Sequence, residues 1–187
     1  MSKLDRLLQA YKRFVSLPWE TDLAGAQKTW FLIYEKAEER ALRFGLAEFE
    51  LATREAGHEW LHVDVTDTFP TWMAEQEYRE SYFQMPEDLD LLLPQFKNDL
   101  GEQLASTLTD PRASQHCVVA LSGLGCLFGL LRVSELIPEL APRIRGRLLL
   151  FFPGEFDSNN YRFLDARDGW NYLAVPITAY DTAERQS

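Results

Sequence analysis

Apolar positions along the first fifteen residues recur at helical spacing: Leu4, Leu7, Leu8, Tyr11 and Val15 share one face. The chain therefore opens with an amphipathic helix over 2–16, and Pro18 stops it. Thr29–Tyr34 is a continuous apolar, aromatic run and reads as a strand. Leu42, Leu46, Phe49 and Ala56 form a second helical stripe that ends at Gly57. In Trp60–Thr66 the pattern switches to period two, with Leu61, Val63 and Val65 on one side and His62 and Asp64 on the other. A helical stretch follows through Trp72, Tyr78 and Phe83 to Pro86. The stripe Leu89, Leu92, Leu93, Phe96, Leu100, Leu104 and Leu108 is kinked or divided at Pro94. Cys117–Leu121 is a third strand, Gly123 and Gly125 make a turn, and a helix is expected over about 126–137. Arg147–Phe152 and Tyr172–Ile177 are buried strands, joined by a long polar loop.

Strands alternating with helices predict an α/β fold: a single three-layer domain over 1–179, with a mostly parallel sheet of about five strands flanked by helices. Its core is Rossmann-like or degenerate P-loop-like, and 180–187 is a loose tail. The chain has 187 residues, 46% of them hydrophobic and 13% aromatic, enough for a sizeable core. No apolar run approaches the ~20 residues that span a bilayer, so a cytoplasmic protein without membrane contact is expected.

Net charge is −10, which opposes direct binding to nucleic acid. The distribution is uneven. No lysine follows Lys97, and six arginines fall between Arg132 and Arg167. Arginine's planar fork suits carboxylates, phosphates and protein contacts. Two cysteines, Cys117 and Cys126, and three scattered histidines give no metal-ligand spacing, so no metal is expected. Both cysteines read as buried small hydrophobes.

The polar loop carries the candidate chemistry: Glu155, Asp157, Asn159, Asn160, Tyr161, Arg162, Asp165, Arg167 and Asp168. Polar loops hung on core strands commonly carry function. Arg132 and Glu135 share a face of the preceding helix, and Arg132 is expected to reach Glu155 or Asp157. Together these residues form a charge network or a partner-binding surface. An alternative lies in Ser122, Gly123, Gly125 and Gly129, a glycine turn after a strand that could cradle an anion or nucleotide. Its spacing is one residue longer than the dinucleotide fingerprint, and no lysine is placed to reach a phosphate. No cofactor is expected. His62 and Asp64 share a strand face, but the sequence sets no serine or cysteine nucleophile beside them. His58 reads as a partner for the preceding helix terminus. Acids among Tyr78, Tyr82, Phe83 and Met85 suggest either a solvated face or a docking surface.

The segments Arg13–Trp19, Leu23–Gln27, Glu48–His58, Leu121–Gly125, Phe128–Leu136 and Phe151–Ile177 together resemble the BrxB family, small components of bacterial BREX phage-defence systems. The resemblance runs from near the start to Thr178 and carries no catalytic motif. It implies a non-enzymatic assembly component in antiviral defence. It further implies contact with larger BREX proteins, above all the phosphatase-like PglZ protein. A homodimer is left open.

Overall fold

The computed structural model describes residues 1–157, 160–163, 166–170 and 174–181. Helix α1 spans Lys3–Val15 and buries Leu7, Leu8, Tyr11 and Val15. Ser2 starts it with a capping box: its hydroxyl accepts from the Asp5 amide while the Asp5 carboxylate accepts from the Ser2 amide. Strand β1, Thr29–Tyr34, is buried at every position. Helix α2, Glu39–Glu55, returns along the sheet to β2, Glu59–Asp64.

The region after β2 departs from a single helix. Two short helices form, α3 over Thr68–Ala74 and α4 over Arg79–Gln84, followed by a 3-10 turn at Pro86–Leu91. Helix α5, Leu93–Thr109, has Pro94 in its first turn, where the missing amide donor leaves no helical bond unmade. Pro94 thus divides the stripe without kinking the helix.

Strand β3 is Cys117–Ser122. The expected helix over 126–137 is shifted. A 3-10 turn occupies Leu124–Leu127, Gly129 takes a positive φ of 80°, and helix α6 runs from Val133 to Leu140. Arg132 therefore precedes α6 in extended conformation and does not stand on its surface.

Strands β2, β3, β4 (Arg147–Asp157), β1 and β7 (Val175–Ile177) lie side by side in that order, every neighbouring pair parallel. This is the α/β architecture with a five-stranded parallel sheet that the alternation of elements implied. Trp30, Leu32, Tyr34, Leu149 and Phe151 face α1 and α2; Phe31, Ile33, Leu148, Leu150 and Phe152 face α5 and α6. Each such side chain, once fully buried, contributes about 1.5–3 kcal/mol of transfer free energy. Of the expected strand Tyr172–Ile177, only the part from Val175 is described as strand.

The polar loop expected between the last two core strands is largely β-structure. Strand β4 continues past the sheet to Asp157, then turns back as β5 (Asn160–Phe163) and β6 (Ala166–Trp170) in antiparallel register. The reason is visible in the side chains: Phe156 and Tyr161 stand in register and join the core beneath, so one face of this polar-looking segment has something to bury.

Candidate functional site

Ligands of open parallel α/β sheets bind beyond the carboxyl ends of the strands, where the chain direction across the sheet reverses. Here β1 leads leftward to the edge strand β2, while β4 leads rightward to β7 across β1. The reversal therefore lies between β1 and β4.

On the β2–β3 side, that carboxyl edge is filled by hydrogen bonds. The Tyr34 hydroxyl donates to Glu39, whose other oxygen accepts from Arg43 Nε at 2.8 Å. Arg43 also donates to the Thr66 hydroxyl at 3.1 Å, and that hydroxyl donates to Asp64 at 2.5 Å. Burial pushes the Asp64 carboxyl up, but the Thr66 hydroxyl and amide, then Arg43, outweigh it and hold it below the usual range. The Asp64 carboxylate sits against the glycine turn: a Cβ on Gly123 would lie 2.5 Å from it. Gly123 opens a four-residue 3-10 turn with φ of 79°. Where an anion would approach Gly123, the fold has already placed one of its own. Ser122 is buried, a Cβ on Gly125 would meet Pro153 at 3.7 Å, and Gly129 lies beyond the turn.

Ser122 stands beside His62, with Oγ 2.7 Å from Nε2, a pairing the sequence did not reveal. The register aligns Asp64 with Ser122 across the strands, yet the Asp64 carboxylate is taken up by Thr66. Among the described residues this pair gains no third member to orient the imidazole. The His58 amide closes the end of α2 by donating to the Thr53 carbonyl at 3.1 Å, while its ring stacks flat on Trp19 at 3.6 Å. Burial draws both imidazoles below the ordinary histidine range, His116 adding to the effect at His58. The unfolded chain then takes up protons first, so this stabilisation is complete above about pH 6.5 and is lost as pH falls through the lower folded values. The urea midpoint should fall between pH 7 and pH 5.5, and His62→Gln should flatten that slope.

On the β1–β4–β7 side the edge is open. A cleft of about 440 Å³ lies between the ends of these strands and α1. Its floor is apolar, with Leu4, Leu7, Ile33 and Phe156; Glu35, Glu38, Glu155 and Asp157 stand around it. Lys3 is bound to Glu35 at 2.6 Å, so the cleft keeps an excess of negative charge. Glu155 and Asp157 were identified from sequence. Lys3, Tyr34, Glu35 and Glu38 were not, although the acidic run directly after the β1 pattern was the available signal.

The hairpin forms one wall. Glu155 pairs in register with Arg162, and both are exposed. Among the described residues neither makes an ion pair. Arg167 lies opposite Arg162 on β6, and the backbone places Asn160 on β5 and Asp168 on β6. Asn159 and Asp165 lie outside the described residues. Tyr161 is not on the surface: it is 1% exposed, its hydroxyl donates to the Ala174 carbonyl at 2.9 Å, and its ring meets Phe31 edge-on at 4.6 Å. It is an anchor for the hairpin.

Arg132 forms no ion pair with Glu155 or Asp157 among the described residues. Glu135 lies 4.0 Å from Lys97, across from α5. Helix α6, which begins directly after Arg132 and carries Glu135, itself packs against β6 of the hairpin. Cys117 is buried, its thiol pushed up to about 11 by burial, whereas Cys126 is exposed, against expectation. Among the described residues no group of three or more His, Cys, Asp or Glu is arranged to hold a metal. Among the same residues no helix is long and apolar enough to cross a membrane.

No curated protein and no solved structure matches the chain. A family model does match, over residues 61–177, and its description is BREX protein BrxB. The matched span takes in most of the edge strand, the glycine turn, α6 and the whole hairpin, which is well over half of the chain. The chain belongs to the BrxB family, a component of BREX phage defence.

Proposed function

We propose that this chain is a non-enzymatic assembly component of its BREX system and that the wall and cleft at the carboxyl edge bind a PglZ-type protein. The observation that carries this reading is the overrun of β4. The central strand of the core extends into a hairpin whose outward positions hold Glu155 and Arg162, exposed and in register, with no ion pair among the described residues. Exposed opposite charges displayed on a rigid wall beside an acidic cleft are suited to electrostatic complementarity with a partner, which fixes register and speeds encounter. A partner bringing arginine or lysine into the cleft would match the excess of carboxylates there. Net charge of −10 directs DNA contact to other members of the complex.

Co-expression with a PglZ-type protein of the same system, followed by affinity capture, tests this. Wild type should retain the partner; the double variant Glu155→Arg/Arg162→Glu, with unchanged circular dichroism, should retain at least about tenfold less, a loss of ~1.4 kcal/mol. Equal capture by both proteins would refute the hairpin wall as the docking surface. Two differently tagged copies in the same experiment report on self-association.

A further inference from the structure

At the opposite, amino end of the same strands the structure holds a buried cation that makes no direct ion pair among the described residues. Arg147, the first residue of β4, is 5% exposed. Its guanidinium donates to the Gly146 carbonyl at 3.0 Å and to the Glu20 carbonyl at 2.9 Å. Among the described residues no carboxylate lies within 4.0 Å of it. A guanidinium carries five N–H donors in a planar fork, so two carbonyls leave donors unmatched, and the Glu20 carboxylate acts on it only from beyond 4.0 Å. Buried charges are ordinarily paired, because removing them from water is costly.

The surroundings have the shape of a receptor. The guanidinium stands 4.8 Å from the Trp19 ring centre and 5.9 Å from that of Trp30. Trp19 is fixed by its stack on His58 and an edge contact with Trp30 at 5.7 Å, and its indole N–H is buried with no hydrogen-bond partner among the described residues. Beside them opens a cavity of about 310 Å³ lined by Phe14, Leu17, Trp19, Leu23, Trp30 and Arg147. Such a volume is at the lower end of small-ligand sites. The segments Arg13–Trp19 and Leu23–Gln27, which have no part in the cleft at the other end, supply most of its wall.

We propose that this pocket binds a carboxylate carried on an apolar body, as presented by the C-terminal residue of a polypeptide. A carboxylate matches the planar fork in a bidentate manner, and the aromatic walls take the apolar part. Glu20 also lines the cavity, so a singly charged group is favoured over a phosphate.

The test uses the full chain and indole N–H resonances, assigned by single Trp→Phe changes. N-acetylphenylalanine should shift the Trp19 and Trp30 signals saturably. Its carboxamide should bind at least about tenfold more weakly, and inorganic phosphate should leave the signals in place. Arg147→Gln, where it folds, should abolish the difference between acid and amide. Equal affinity for acid and amide, displacement of the acid by phosphate, or no shift with the acid each overturns the proposal. The acid–amide comparison on wild type decides the matter if the variant does not fold.

Discussion

Replacing Tyr161 by alanine is expected to lower the unfolding free energy by about 3–5 kcal/mol, the range for deleting a large buried aromatic side chain. The ring is enclosed by Phe31, Phe152 and Phe156, with centres at 4.6, 5.9 and 4.8 Å. Among the described side chains from Glu155 to Arg162 none is so deeply held. Tyr161→Phe keeps the packing but strands the Ala174 carbonyl, at a cost of about 1–3 kcal/mol. Urea unfolding of the two variants separates these contributions. Tyr161→Ala should also impair partner capture without touching an exposed charge, because the wall bearing Glu155 and Arg162 loses its footing. A Tyr161→Ala protein of wild-type stability would show that the hairpin is not anchored through this ring.

The second large effect is expected at Gly154, where β4 leaves the parallel sheet and begins to pair with β5. A Cβ there would stand 1.9 Å from the Arg162 carbonyl oxygen and 3.0 Å from the Phe152 ring. The first obstacle is backbone, which cannot rotate aside. Gly154→Ala should therefore cost at least the upper part of the ~1–3 kcal/mol typical of overpacking. Gly125→Ala is the matched control, since its Cβ would meet only Pro153 at an ordinary 3.7 Å. Its unfolding midpoint should move little, within about 0.5 kcal/mol in stability. A Gly154→Ala midpoint equal to that of Gly125→Ala would contradict the close approach.

What the sequence revealed and what it hid follow one physical rule. Where a segment buries one whole face, as in α1, or both faces, as in β1, spacing alone reports it, and the parallel sheet followed from their alternation. The hairpin obeys the same rule more faintly. Phe156 between Glu155 and Asp157, and Tyr161 beside Arg162, already alternate in period two, but the density of charge concealed two inward rings. Helix α6 began later than its apolar spacing suggested because Gly129 takes a left-handed conformation that spacing does not encode. The cleft was half legible. Glu155 and Asp157 lay in the segment that drew attention, whereas Lys3, Glu35 and Glu38 arrive from elements remote in sequence. Only the strand order brings them together.

That strand order also governs when the protein can fold. The partners of β1 lie at 148–153 on one side and 175–177 on the other, more than a hundred residues downstream. Until those segments exist, the sequence Thr-Trp-Phe-Leu-Ile-Tyr is an unpaired apolar strand, the kind of segment that associates with its own copies. Such long-range closure is intrinsically slow. During synthesis, α1 and α2 can cover only one face of β1. The emerging chain thus depends on its last quarter to bury its first strand, and a nascent chain arrested before β4 should aggregate or occupy a chaperone.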